Sequence, residues 1–224
     1  MRCGRGGLGM GVLLLLLAGC IEGDEITTIM IHEDGAADVT VMRSHLHSSS
    51  ANAAGQKEEE NYRAEFDAEK DSEVTRVRDA GGTLESKHWI KKTSPMACAL
   101  VFRLPESKVL EKYLTIRDGD GPPPIETRFV RQGNLRQLIV TIRSDKEAST
   151  TKREPATAAS LRQAAANGIG EIRMSTVRGT IVDARGFHVS KDKHTAILDN
   201  EAVETLLEAG QGTGELRLEW TVEK

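Results

Sequence analysis

A few stretches of this chain carry residue types at spacings that could do chemistry. Ser149-Thr150-Thr151-Lys152 fits S-x-x-K, in which a desolvated lysine activates a serine at the start of a buried helix. Here the tetrapeptide sits in the most polar part of the chain, beside Lys146 and Arg153. Lys92-Thr93-Ser94 precedes it, whereas the matching K-T-G-type element of such enzymes follows the nucleophile. The match is assigned to chance. The glycine-rich residues 210–214 invite a phosphate-loop reading, but such loops run from a strand into a helix so that helix amides meet the anion. This one is expected to run from a helix into a strand, which makes it a helix stop and turn.

Three imidazoles raise the question of a metal. His45 and His47 share a face if their segment is a strand, and His32 on a neighbouring strand could supply a third ligand. No H-E-x-x-H or cysteine-rich pattern accompanies them, so exposed strand-end histidines are expected and no metal is assigned. Asp118 and Asp120 lack the further oxygen ligands of a calcium loop and are expected to form a turn. Cys98 lies inside Met-Ala-Cys-Ala-Leu-Val-Phe, where a buried thiol behaves as a small inert hydrophobe. Catalytic residues and cofactors are therefore expected to be absent, and the chain is read as a non-enzyme.

The first nineteen residues have a different chemistry. Arg2 and Arg5 form a cationic start, an apolar run follows to Leu17, and Ala18 and Gly19 put small side chains before Cys20. This is the anatomy of a cleaved secretory signal, too short to span a bilayer, which takes roughly 20 apolar residues. Leu17-Ala18-Gly19-Cys20 resembles the lipobox of bacterial lipoproteins. The resemblance implies cleavage between Gly19 and Cys20, diacylation of the Cys20 sulfur, and a body held at the envelope by two or three acyl chains. Ile21 stands where enterobacterial lipoproteins retained at the inner membrane carry Asp. The resemblance thus implies an outer-membrane or surface address.

Loss of the leader removes Arg2 and Arg5, leaving 28 basic against 34 acidic residues, a net charge of −6. A nucleic-acid partner is not expected, because neutralising phosphates needs a basic face. Cys3 leaves with the leader and Cys20 is acylated, so Cys98 alone stays free and no intrachain disulfide can form.

The elements that must position these residues follow from periodicity. Residues 25–32 and 37–45 are β-branched or alternating, around Asp34-Gly35, and predict a β-hairpin. In the second run Val39, Val41 and Arg43 fall on one face, against Asp38, Thr40 and Met42. Residues 48–56 predict a loop. Residues 57–80 predict one long helix, with Tyr62, Phe66, Val74, Val77 and Ala80 at helical spacing, Glu58, Glu59 and Glu60 at its solvated start, and Gly81-Gly82 as the stop. Strands are expected at 83–92 and 96–104, the second covered on both faces. A short helix at 106–114 and a hairpin of 127–131 with 135–143 follow. Residues 144–159 hold no large apolar residue and predict a polar linker or exposed loop. Beyond it a short helix at 158–166, a strand near 171–177, a hairpin around 184–186, a helix at 200–209 and a final strand at 215–222 are expected.

The fold class is therefore α+β: a mainly antiparallel sheet of hairpins packed against one long helix and two or three short ones. Residues 20–143 form the first part of the body, and 160–224 are expected to complete the same domain. The order resembles the LppM-type envelope lipoprotein domain: Cys20, a hairpin at Asp34-Gly35, a helix, further strands and a last strand with Trp220. That resemblance implies association with lipid or glycolipid. Two roles are carried forward. One is a membrane-anchored lipoprotein with a binding or structural role toward an envelope protein or lipid. The alternative is a lipid- or glycolipid-binding module, with Trp89, Leu100 and Phe102 lining an apolar cavity between sheet and helix.

Overall fold

The computed structural model describes residues 21–115, 125–143, 171–198 and 213–222. The leader, Cys20, the turn at 118–124, the polar stretch at 144–159, both helices expected at 158–166 and 200–209, and Gly210 to Gln211 to Gly212 lie outside them.

The chain opens with β1 (Ile21–Ile31) and β2 (Ala37–Ser48), an antiparallel hairpin. Asp34 and Gly35 close it. The Ala36 N–H donates to Asp34 Oδ1, and Gly35 sits at φ +89° with no room for a Cβ beside Ser107 and Phe129. Only glycine fits both demands. Alternation along β2 sends Ala37, Val39, Val41 and Arg43 to the interior.

Two helices follow where the periodicity predicts one. Helix α1 spans Ala53–Asp67 and α2 spans Ser72–Ala80. The apolar spacing runs through both, but cap chemistry divides them. Glu69 adopts φ +57°, and the Asp71 side chain accepts from the Glu73 N–H as the N-cap of α2. Asn52 caps α1 by accepting from Ala54 and Gly55, so the helix begins four residues earlier than expected. Glu58, Glu59 and Glu60 thus lie past the first turn. Gly81, at φ +103°, ends α2 as the sequence anticipates.

Strands β3 (Thr83–Lys91) and β4 (Met96–Leu104) pair antiparallel, and β4 pairs in turn with β2. β4 is not covered on both faces. Its burial alternates, with Met96, Cys98, Leu100, Phe102 and Leu104 inside and Ala97, Ala99, Val101 and Arg103 half exposed. Small side chains on the outer face make this half-buried strand look apolar throughout. Helix α3 (Ser107–Leu114) precedes the hairpin of β5 (Ile125–Gln132) and β6 (Leu135–Arg143).

The remaining strands are β7 (Glu171–Thr176), β8 (Gly179–Arg185), β9 (His188–Val189), β10 (Thr195–Leu198) and β11 (Thr213–Val222). They build two sheets rather than one. A seven-stranded sheet has the order β3-β4-β2-β1-β7-β10-β9, and a four-stranded sheet has the order β5-β6-β11-β8. The larger sheet is mixed, because β7 runs parallel to β1. The hairpin expected around 184–186 does not form: β8 pairs with β11 in one sheet while β9 pairs with β10 in the other. The chain passes from the smaller sheet to the larger between β8 and β9, and Ile181 of β8 and its register partner Trp220 of β11 both belong to the shared core. One core cluster joins Ile29, Val39, Phe102 and Leu110 to Leu138, Leu218 and Trp220, so the two sheets bury a common apolar volume.

Candidate functional site

Strand register aligns three reactive or aromatic side chains. Arg43 of β2 lies opposite Cys98 of β4, and Cys98 lies opposite Trp89 of β3. In the adjoining rows Val41 faces Leu100 and Val39 faces Phe102. Trp89, Leu100 and Phe102, the residues singled out from the sequence, therefore share one face of the sheet. α1 and α2 contribute Tyr62, Phe66, Val74 and Val77 to the same core cluster.

Leu100 and Phe102 are 1% and 0% exposed within that cluster. Trp89 is half-buried at the rim. Its ring lies 4.5 Å from Phe66 and 6.2 Å from Tyr62, and its indole N–H donates to Asp67 Oδ1 at 2.7 Å.

Arg43 is the unusual member of the face, since a guanidinium only 4% exposed must be paired to stay charged. Its Nε donates to Glu25 Oε2 at 2.7 Å, and its Nη1 donates to Asp71 Oδ2 at 2.5 Å and to Tyr62 Oη at 3.3 Å. Burial alone would push the guanidinium down. The carboxylates of Asp71 and Glu25 outweigh it and hold Arg43 well above the ordinary arginine value. Burial pushes the Tyr62 phenol up, against the opposing pull of Arg43. Burial also raises the Cys98 thiol, whose sulfur is 3.6 Å from Tyr62 Oη. The thiol is thereby kept protonated and poorly nucleophilic.

A second polar knot lies between α2 and α3. Glu73 Oε1 accepts from Arg76 Nη2 at 2.7 Å and from Tyr113 Oη at 2.5 Å. Arg76 also donates to Tyr113 Oη and stacks 4.4 Å from the centre of its ring. Burial, then the Glu73 charge, pushes the Tyr113 phenol up. Asp71 links the two knots, because its Oδ1 caps α2 while its Oδ2 receives Arg43. The chemistry open to this arrangement is fixation: one carboxylate ties the start of a helix to the sheet beneath it.

Asp71, Glu73, Arg76 and Tyr113 were not singled out from the sequence. Two signals bore on Asp71 and Glu73, and none on Arg76 or Tyr113. A charged residue in phase with Val39 and Val41 demands a buried partner, and Asp71-Ser72-Glu73 is helix-start chemistry.

The structure separates the three histidines. His32 follows the far end of β1, where its Nε2 meets Asp38 Oδ2 at 2.8 Å and Arg103 Nη1 at 3.1 Å. Burial pushes the Asp38 carboxyl up, but hydrogen bonds from Arg103 and His32 outweigh it and hold it below its usual value. His45 and His47 sit at the other end of the hairpin, near Glu22 and Asp24, about 30 Å away along the strand. His45 adopts φ +54° and pairs with Asp24 at 2.7 Å, while His47 Nδ1 meets the His45 carbonyl. No group of three metal-ligating side chains occurs among the described residues. Gly19 and Cys20 lie outside them.

No protein-family model matches this chain, and no curated protein matches it either. Among solved structures, the NMR structure of the folded domain of Mycobacterium tuberculosis LppM aligns over 99% of this chain and 97% of that domain, with 9% identity and a TM-score of 0.40.

Proposed function

We propose that this chain is a bacterial envelope lipoprotein, anchored through acylated Cys20 and acting without catalysis by binding or bracing another envelope component. One observation carries the reading: Leu17-Ala18-Gly19-Cys20 ends a cationic-then-apolar leader, and β1 begins at the next residue, Ile21. Cleavage ahead of Cys20 removes none of the described strands or helices. It leaves a chain whose first paired residue follows its anchor directly. The non-catalytic part of the reading is supported by the pairing of the buried ionisable groups. Arg43, Asp71 and Glu25 pair with one another, and Glu73 pairs with both Arg76 Nη2 and Tyr113 Oη, while Arg76 Nε is left without a partner among the described residues.

The test is intact-mass analysis of the chain purified from bacterial membranes, beside a Cys20→Ala variant. The expected result is a chain beginning at residue 20 and carrying two or three acyl groups, with the variant released from the membrane or arrested before cleavage. A bare residue 20, or membrane extraction unchanged in the variant, would overturn the proposal.

A further inference from the structure

The residues around Ile90 form an exposed tip with mixed character. Ile90, at 60%, is the most exposed large hydrophobic side chain among the described residues. The register of β3 against β4 slips between Trp89 and Lys91, and this bulge puts Ile90 outside the pairing. Residues 90–95, Ile-Lys-Lys-Thr-Ser-Pro, are all exposed. Lys91 makes no ion pair among the described residues. Lys92 reaches Asp67 at 2.8 Å and lies 5.8 Å from the centre of the Trp89 ring. An apolar side chain beside two lysines and a half-buried indole is the composition that settles at a lipid–water boundary.

The fold places this tip beside the start of β1. Ile21 pairs with Ser48. Glu59 Oε1 accepts from both the Ser48 N–H, at 3.3 Å, and Ser94 Oγ, at 2.8 Å, so the β3–β4 turn and the first residue of β1 stand at the same height. Between β1 and β3 lie β2 and β4, three strand spacings of about 4.8 Å each, or roughly 15 Å in all. Residue 20 is one peptide unit beyond Ile21, about 3.8 Å between Cα atoms. The exposed acids of β1, Glu22 and Asp24, are separated from Lys91 by the same three strand spacings, more than a Debye length of about 8 Å at physiological salt. Glu59, bonded to Ser94, and Asp67, paired with Lys92, are the acids at the tip itself.

We infer that the Ile90–Lys91–Lys92 tip, set beside the start of β1, docks on the surface of the bilayer that holds the acyl anchor, with Ile90 entering the headgroup layer and the lysines meeting lipid phosphates. This deepens the lipoprotein reading and rests on it. With the anchor on the residue that immediately precedes the first strand, that end of the sheet faces the membrane, and the tip is the part of it suited to contact lipid.

The test uses the acylated full chain in vesicles of phosphatidylcholine with phosphatidylglycerol. A polarity-sensitive dye is attached at Ile90→Cys, or at Val182→Cys on the smaller sheet as a control; Cys98 is buried and stays unlabelled. Flotation is read first. Failure to float would sink the anchoring proposal itself. For chain that floats, the expected result is that the dye at position 90 is shielded from aqueous iodide while the dye at 182 is not. Adding Lys91→Ala should lower the docked fraction relative to undocked by about fivefold without loss of flotation. Equal quenching at the two positions in floated chain would overturn the docking inference and leave the anchor standing.

Discussion

Tyr62 and Tyr113 are the two tyrosines of the chain, and the interior holds both phenols in their neutral form. The direction of the resulting pH effect follows from linkage. In the unfolded chain a phenol ionises near about pH 10, whereas in the folded chain both are held above that value. Below that point neither state loses the proton, and their contribution is fully present. Above it only the unfolded chain gains by ionising, so stability falls as pH rises. Phenolate absorbance should therefore appear together with loss of native circular dichroism at alkaline pH. Its appearance near the ordinary phenol value in a chain still folded would contradict the buried placement. At this scale the sequence was half legible. Alternation with Val39 and Val41 located Arg43 on the inner face, but Glu25 and Asp71 lie on a different strand and beyond a helix, and pairing over such separations leaves no local pattern to read.

Asp71 acts on whole elements, because it both starts α2 and fastens it to β2. Asp71→Ala should cost about 3–5 kcal/mol, since a buried guanidinium loses one of its two carboxylates and the helix loses a cap worth about 1 kcal/mol. Asp71→Asn keeps an oxygen for the Glu73 N–H and should recover only the smaller part. Urea unfolding of the three chains checks the order, and an unchanged midpoint for Asp71→Ala would refute the pin. The same residue explains why the helical stretch was misjudged at 57–80. Apolar spacing continues through the break, so periodicity alone sees one helix, while the interruption is written in Glu69, Asp71 and Ser72. Strand existence was easier to read: the strands expected at 83–92, 96–104, 127–131, 135–143 and 215–222 occur at 83–91, 96–104, 125–132, 135–143 and 213–222, because alternating and apolar runs are local signals. Which sheet a strand joins is not local, and β8 and β9 were assigned to a hairpin that they do not make.

Across the whole molecule the two sheets stand or fall together. Trp220 is fully buried in β11, 5.9 Å from Phe129, in a core cluster that reaches Val39 and Phe102 of the larger sheet. Trp220→Ala should cost about 3–5 kcal/mol. It leaves Trp89, on the larger sheet, as the single indole of the chain. Its fluorescence transition in denaturant should move to lower concentration in step with the circular dichroism of all strands. A Trp89 transition that stays in place would mean that the sheets unfold separately. Fold class was visible from the mixture of alternating and helical runs. The second sheet and the parallel β1–β7 pair were not, because a crossover between sheets depends on contacts between residues far apart in the chain.

Strand β1 is paired with β2, antiparallel, from Ile21 to Ile31 and with β7, parallel, over Ile26–Ile31. A tug on residue 20 would thus act along the strand axis. It would first load the β1–β2 ladder, which begins at Ile21, and would reach the β1–β7 ladder only from Ile26 onward. Mechanical strain arriving at the N-terminal end of this body is met first by one of its best-secured strands.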